Sequence, residues 1–300
     1  MLNRMHVSFL SRVSFSMASA VSRPNVSSVL KAAAVSLVLA VLSACAQSPT
    51  GIRSEVGPPI HGDNRPHPGV AKARSLPIQG MDVARYQGAI DYGKVRAAGV
   101  HFVYMKATEG KDYVDPAFAT NWARARASGM AHGAYHFMTW CSTAAQQAAW
   151  FIRNVPKDPT ALPPVLDLEW NHGSSCKNKF DKADVLEKIR VMLAAMEKHT
   201  GKLPIIYTDM TFHHDILEGE HFDNAFWLRS TAAEPPERYG NRRWMMWQWT
   251  QTGVLNGVVG EVDRNAFYGD ENDWTVFLLT GCDPRVVDAL GPEGRCQLVK

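Results

Sequence analysis

Short apolar runs alternate with amphipathic stretches along most of the chain. The apolar runs predict eight strands, at residues 78–83, 102–108, 132–137, 165–169, 204–207, 226–228, 245–250 and 262–265. Helical periodicity between them predicts helices at residues 92–98, 116–128, 144–154 and 182–198. Alternating strands and helices indicate a parallel sheet, and eight strands without a second core indicate that it closes. We therefore expect an α/β fold: a single irregular (β/α) barrel, TIM-like, with reduced helices in its second half.

Polar side chains recur where the predicted strands end. They are Asp82, Lys106, Glu109, Tyr135, His136, Asp167, Glu169, Tyr207, Gln248, Asp263 and Asn265. In a barrel of parallel strands all carboxyl ends open onto one face, where active sites are built. Aromatic rings stack on sugar faces and carboxylates cleave glycosidic bonds, so acids among aromatic residues suit a carbohydrate.

The stretch 163–170 places two carboxylates at the end of an apolar strand. Side chains alternate across a strand, so Asp167 and Glu169 share a face, roughly 6–7 Å apart along the backbone. The like charge of Asp167 and the apolar surroundings should raise the pKa of Glu169, as a general acid requires. The alternative is a structural Asp beside a solvent-facing Glu, because structural ion-pair networks also perturb pKa values.

Other polar residues have structural alternatives. Lys106 and Glu109 suit an ion pair at a strand end as well as a substrate contact, and His136 suits packing better than catalysis. Trp247 suits barrel packing better than a sugar platform. The sequence contains no phosphate loop, nucleophile elbow or metal-ligand cluster, so we expect no metal and no cofactor.

The first 44 residues differ in charge from the rest of the chain. They contain four basic residues and no acid, and an uncharged apolar run at 32–44 is too short to span a bilayer. Residues 42–45 resemble the lipobox of bacterial lipoprotein precursors, which implies lipidation of Cys45. Ala46 after this Cys favours the outer membrane in such lipoproteins. Initiation at Met17 would give a signal of more usual length.

These features predict the organisation of the whole chain. Residues 1–44 are expected to be a signal peptide, 45–75 a flexible tether rich in Pro and Gly, 76–275 the barrel and 276–300 a C-terminal extension. We expect a lipid-anchored monomer at the periplasmic face of the outer membrane. The chain carries a formal net charge of +3, which falls to −1 without residues 1–44, so it has no basic footprint for nucleic acid.

Four cysteines remain beside Cys45 in this oxidising compartment. They are Cys141, Cys176, Cys282 and Cys296. Their spacing does not resemble a zinc site, and two disulfides are expected. Proximity in sequence suggests pairing 141 with 176 and 282 with 296, although three pairings are possible.

Seven ordered blocks together resemble glycoside hydrolase family 25, the Chalaropsis-type lysozymes. They are residues 81–88, 103–110, 133–137, 166–169, 204–208, 246–250 and 260–265. The resemblance implies an irregular (β/α) barrel that hydrolyses the β-1,4 bond between N-acetylmuramic acid and N-acetylglucosamine of peptidoglycan. The segment after Gly269 lies outside the match.

The resemblance also implies roles for individual residues. Glu169 matches the proposed general acid, and Asp167 matches the acid thought to orient the substrate N-acetyl group or to assist charge development. Asp82 and Asp263 match two further acids of the cleft. Tyr135, Tyr207, Gln248 and Trp249 fall in blocks that line the glycan groove, and Lys106 and Glu109 are added as substrate-binding candidates.

Three other functions are compatible with parts of this pattern. A chitinase-type barrel also uses an Asp-x-Glu strand end, but Leu162 and Val165 occupy the places of the first two acids of that motif. A non-catalytic peptidoglycan-binding lipoprotein would not need four acids in one cleft. A metal-dependent hydrolase would need ligand-spaced His residues. Whether the reaction retains or inverts configuration, or uses the substrate's own N-acetyl group, stays open.

Overall fold

The computed structural model describes residues 69–171, 180–285, 287–290 and 296–298. The strands within these residues are β1 (Gln79–Val83), β2 (Val100–Glu109), β3 (Tyr113–Val114), β4 (Ala131–Phe137), β5 (Val165–Leu168), β6 (Ile205–Thr208), β7 (Phe226–Arg229), β8 (Met246–Val254), β9 (Glu261–Phe267), β10 (Val287–Leu290) and β11 (Cys296–Leu298). The eight predicted strands are all present, as β1, β2 and β4 to β9. Pairing of β1 with both β2 and β9 closes them into a barrel.

The last barrel strand runs against its neighbours. From β1 through β2 and β4 to β8 each barrel strand pairs in parallel with the next, whereas β9 is antiparallel to both β8 and β1. The barrel sheet is therefore parallel, as expected, except at this strand. Only residues 255–260 separate β8 from β9, and a parallel crossover needs a dozen or more residues. The start of β9 consequently lies at the mouth where the other strands end.

Helices cover the outside of the barrel unevenly. They are α1 (Gly69–Ser75), α2 (Tyr92–Ala97), α3 (Phe118–Ala127), α4 (Ala144–Asn154), α5 (Lys182–Thr200), α6 (Met210–Phe212), α7 (Pro235–Tyr239) and α8 (Glu271–Thr280). The four predicted helices correspond to α2 through α5. Between β6 and β8 the described chain has only short helical turns, which confirms the expected reduction of helices in the second half.

Strand alternation divides the core into an inner and an outer layer. Inside the barrel, Phe102 and Tyr104 of β2 fill the end opposite the mouth, and Trp274 of α8 packs its ring 5.3 Å from that of Phe102. Gly80 and Gly133 make room for these rings, since a Cβ at either position would lie within 2.4 Å of one. The barrel is thus plugged at one end, which leaves the other end for a site.

Packed helices extend beyond residues 76–275 at both ends of the barrel. Residues 69–75, which the sequence analysis placed in the tether, form α1, and Ala73 is fully buried. Gln79 fastens this helix, because its side-chain amide donates to the Ala73 carbonyl at 2.8 Å. At the other end α8 crosses the predicted boundary at 276 and buries Phe277.

Several predictions fall on residues outside the described ranges. These are the signal peptide, the lipidation site Cys45, most of the tether and Cys176. Cys141 and Cys282 are each disulfide-bonded, while the pairing stays a prediction. Among the described helices, none combines the length and the apolar character needed to cross a bilayer.

Candidate active site

The four predicted acids meet at the open mouth of the barrel. Asp82, Asp167, Glu169 and Asp263 line one cavity of about 170 Å³. The other lining residues are Lys106, Tyr135, Phe137, Val165, Tyr207, Trp227, Gln248 and Gln251. The strand topology thus gathers side chains that are up to 181 positions apart in the sequence.

The backbone of β5 directs both of its acids inward. Val165 belongs to the inner core, whereas Leu166 and Leu168 belong to the outer layer, so the intervening Asp167 points into the barrel. Glu169 follows directly after the strand and continues the alternation into the cavity. The shared face predicted for the two acids is therefore present.

Glu169 has the electrostatic environment of a general acid. Removal from bulk water raises the pKa of Glu169 to about 7, and repulsion by Asp209 adds to this rise while Arg229 opposes it. The predicted repulsion between Asp167 and Glu169 is present. The structure adds Asp209, which caps α6 by accepting from the Phe212 amide at 2.7 Å, as a second repelling charge.

Asp167 presents an unpaired carboxylate oxygen at the cavity. Burial raises the pKa of Asp167 well above its usual value; the charge of Glu169 adds to this and Lys106 opposes it. Its side chain is almost fully buried, and within the described structure its Oδ1 contacts no hydrogen-bond donor. A buried acceptor without a partner is costly, so this oxygen suits a donor supplied by a ligand.

Asp82 is held by two amide side chains. Its Oδ1 accepts from Gln248 Nε2 at 2.9 Å and from Asn265 Nδ2 at 2.8 Å. Asn265 in turn accepts from the Trp227 indole at 3.0 Å, and Gln248 accepts from the Tyr207 hydroxyl at 2.8 Å. Both ends of the Gln248 amide are therefore occupied by protein, and its side chain is 1% exposed, so it is a wall residue rather than the glycan contact that was expected.

Asp82 and Asp263 are hydrogen-bonded to each other through their carboxyl groups. Burial raises the pKa of Asp263 well above its usual value, with the charge of Asp82 adding to the rise. Burial also raises the pKa of Asp82, but the hydrogen bonds from Asn265 and Gln248 oppose it. Two carboxyl groups in contact share one proton, and the two amide donors on Asp82 Oδ1 favour Asp263 as the carrier of that proton and Asp82 as the ionised member.

Lys106 and Glu109 lie at the rim and form an ion pair of 2.5 Å. The Lys106 Nζ lies 4.8 Å from the centre of the Phe137 ring, within the cavity wall. Glu109 points towards solvent and does not line the cavity, so the structural alternative fits Glu109 better than substrate binding. Tyr135 lines the cavity as predicted.

Trp249 lies on the wrong side of the sheet for a glycan contact. Alternation along β8 turns Gln248 inward, and therefore Trp249 points into the outer layer, where it is 2% exposed. The guanidinium groups of Arg74 and Arg264 lie 5.6 and 5.8 Å from its ring centre. The expectation that Trp249 binds substrate was wrong for this reason.

His136 also points away from the cavity. Its ring contacts the Thr108 hydroxyl at 2.8 Å and the Gln147 side chain at 3.2 Å. Burial lowers the pKa of His136 to about 4, so it is neutral near pH 7. It is a packing residue that connects β4 to α4.

Sequence reasoning missed several groups at the mouth. They are Asp209, Trp227, Arg229 and Gln251. Arg229 donates to the Gln251 side chain at 2.6 Å, which brings a cation next to the acids. Asp209 and Arg229 each stand at the end of a predicted strand, so the strand-end rule that found the other acids also covers them.

A closed barrel whose mouth gathers carboxylates and aromatic rings around a small cavity has the architecture of a glycoside hydrolase. Residues 81–258 match the family described as Glycosyl hydrolases family 25. The chain belongs to this family and is a glycoside hydrolase, which confirms the resemblance found in its sequence blocks.

Relatives and solved structures agree with this assignment. The chain is 32% identical to Lysozyme M1 of Streptomyces globisporus over 227 residues, which are 73% of this chain and 76% of that protein. A family 25 glycosyl hydrolase from Bacillus anthracis is 34% identical with a TM-score of 0.63, covering 72% of this chain and 98% of its own. The bacterial lysozyme from Streptomyces coelicolor is 30% identical with a TM-score of 0.62, covering 69% of this chain and 100% of its own.

Proposed function

We propose that this chain is a muramidase that hydrolyses the β-1,4 bond between N-acetylmuramic acid and N-acetylglucosamine of peptidoglycan, with Glu169 as its general acid. Family membership supports the reaction class, and similarity to proteins named lysozyme and N,O-diacetylmuramidase supports the substrate. The single observation that supports the mechanism is a carboxyl group with a pKa of about 7 beside an unpaired carboxylate oxygen.

Glu169 donates its proton to the oxygen of the leaving sugar. A pKa of about 7 keeps a substantial fraction of this carboxyl group protonated near neutral pH, where an ordinary glutamic acid is ionised. The bond then breaks with positive charge developing on the sugar ring, and water completes the hydrolysis by adding its oxygen to the anomeric carbon and returning a proton to Glu169.

Asp167 orients the N-acetyl group of the sugar on the other side of the bond. Its free Oδ1 accepts the amide N–H of that group, which directs the acetyl oxygen towards the anomeric carbon. Asp82, ionised and fixed by two amides, supplies negative potential to the developing cation. This arrangement explains why the site needs several acids and not one.

The test is lysis of purified peptidoglycan by the wild-type protein and by Glu169→Gln. We expect clearing of turbidity by the wild type, in the presence of a chelator as well, and no clearing by the variant at unchanged near-ultraviolet circular dichroism. Loss on chelation would instead indicate a metal-dependent hydrolase. A folded Glu169→Gln protein that clears at the normal rate would overturn the proposal, and binding without clearing by the wild type would indicate the non-catalytic alternative.

We further propose that the protein is exported and lipid-anchored through Cys45 as a monomer on the periplasmic face of the outer membrane. The basic start, the apolar run at 32–44 and the lipobox-like residues support this. Fractionation after labelling with a fatty-acid analogue tests it: the wild type should be labelled and membrane-bound, and Cys45→Ser should be neither. An unlabelled wild type would contradict it.

A further inference from the structure

We propose that Gln248 is a positioning residue that sets the direction of a hydrogen-bonded chain behind the acid, so that the Tyr207 hydroxyl presents lone pairs and not a proton to Glu169. The inference rests on the proposed role of Glu169 as the general acid. It assigns a role to Gln248, a residue of the cavity wall that is 1% exposed.

The direction of the chain is set at its far end by Trp227. An indole N–H only donates, and it donates to Asn265 Oδ1 at 3.0 Å. The amide nitrogen of Asn265 must then face the other way, and it donates to Asp82 Oδ1 at 2.8 Å. That oxygen of Asp82 is therefore an acceptor and bears no proton.

The same oxygen decides the orientation of Gln248. The two groups lie 2.9 Å apart, and an amide oxygen in that place would oppose a second acceptor, so the amide nitrogen faces Asp82. The amide oxygen of Gln248 then faces Tyr207 and accepts its hydroxyl proton at 2.8 Å. Asn265 and Gln248 are at most 1% exposed, so solvent does not compete for these bonds.

Tyr207 has only one hydroxyl proton, and it donates this proton in its hydrogen bond to Gln248 Oε1. The Glu169 carboxyl group lines the same cavity as this hydroxyl, and a hydrogen bond donated by Tyr207 lowers the pKa of Glu169. The bond from Tyr207 to Gln248 competes with that donation, because both use the same proton. A hydroxyl turned towards Gln248 offers Glu169 only lone pairs, which accept from the protonated acid and repel the carboxylate. The series of hydrogen bonds from Trp227 to Tyr207 therefore favours the protonated form of Glu169 before the proton is transferred to substrate.

Other charged and titratable groups also act on Glu169. Around it lie Asp82, Asp167, Asp209, Arg229, Tyr239 and Asp263. Replacing Gln248 also removes a donor from Asp82, which favours the neutral form of Asp82 and changes the field at Glu169. A test must separate this second effect from the orientation of Tyr207.

A double-mutant cycle of Gln248→Met and Tyr207→Phe makes the separation. The readouts are the pH profile of kcat/KM and the Glu169 pKa from carboxyl carbon NMR. In the wild-type background Gln248→Met frees the Tyr207 proton for Glu169, so both readouts should move to lower pH by roughly one unit. In the Tyr207→Phe background most of this shift should vanish. An equal shift in both backgrounds, or none in the folded variants, would overturn the inference.

Two buried tryptophans on opposite faces of the sheet provide a further comparison, and Phe keeps an aromatic ring at the position where Trp227 packs 5.1 Å from the Tyr207 ring. Trp227→Phe removes the donor that starts the chain, whereas Trp247→Phe removes an indole bond of 2.7 Å to the Ser230 carbonyl on the outer face. Only Trp227→Phe should move the Glu169 pKa downward. An unmoved pKa, or equal movement in both variants, would contradict the assigned direction. NMR titration measures the Glu169 pKa whether or not Glu169 is the general acid. A failure of this inference can therefore be distinguished from a failure of the proposed function, which an active Glu169→Gln protein would reveal.

Discussion

Asp82 and Asp263 face each other across the ladder between β1 and β9, and their carboxyl groups are hydrogen-bonded. The reversed direction of β9 makes this possible, because it brings the start of that strand to the mouth where β1 ends. Two carboxyl groups in contact cannot both ionise, so one proton is retained between them. The amides of Gln248 and Asn265 place the charge on Asp82.

This asymmetry predicts unequal effects of the two amide substitutions. Asp263→Asn keeps a donor opposite Asp82 and imitates the protonated acid, so kcat/KM should fall by less than roughly tenfold. Asp82→Asn removes the ionised group, and the loss should be on the order of 100-fold or more, as for other preorganised charges. Steady-state kinetics on soluble glycan fragments measure both. Equal losses, or the opposite order, would show that the charge is not on Asp82.

The pH dependence of activity should follow Glu169. A general acid works when protonated, so kcat/KM should be high below the Glu169 pKa of about 7 and fall as the pH rises through it. Asp209→Asn removes a repelling charge and should move this falling limb to lower pH, while asparagine still caps α6. Asp223→Asn, at an exposed position near the start of β7, is the control and should leave the limb in place. If Asp209→Asn leaves the falling limb of the pH profile in place, Asp209 does not raise the pKa of Glu169 by charge repulsion.

The inner core should not tolerate a methyl group at Gly80. A Cβ there would lie 2.2 Å from the Phe102 ring, which is fully buried and unable to move away. Gly80→Ala should therefore destabilise the fold by about 1–3 kcal/mol. Gly93→Ala, in α2 with its closest neighbouring atom at 3.3 Å, should be neutral or slightly stabilising. Chemical denaturation compares the two, and similar midpoints would contradict the packing described.

Trp249 should contribute to stability and not to glycan binding. Trp249→Phe leaves a gap in the outer layer beside α1, and we expect a loss of roughly 1–2 kcal/mol in the free energy of unfolding with an unchanged KM. Tyr135→Leu, in the cavity wall, should instead raise KM. A higher KM for Trp249→Phe would contradict this and would indicate that Trp249 contacts the substrate.

Much of the site was predictable from strand ends. Parallel strands bring their carboxyl ends to one mouth, and this rule alone placed Asp82, Asp167 and Glu169 together. Asp263 lies at the same mouth for a different reason: it stands near the start of β9, which is antiparallel to its neighbours. The prediction of a common cavity was thus correct although the direction of β9 was not foreseen.

The remaining differences come from tertiary contacts. The sequence shows Trp249 next to Gln248 in one block, but only the register of β8 decides which of them faces the cavity. Asp209 affects Glu169 through space, from the end of the next strand. The helix α1 is too short for a periodic signal and is stabilised by packing against the barrel.

The reducing ends released from purified peptidoglycan test the central claim most directly. Products of wild-type digestion are reduced with borohydride and identified by mass spectrometry, with Glu169→Gln as the blank. The account predicts fragments that end in reduced N-acetylmuramic acid from the wild type and none from the variant. Fragments ending in reduced N-acetylglucosamine, or the same products from both proteins, would contradict it.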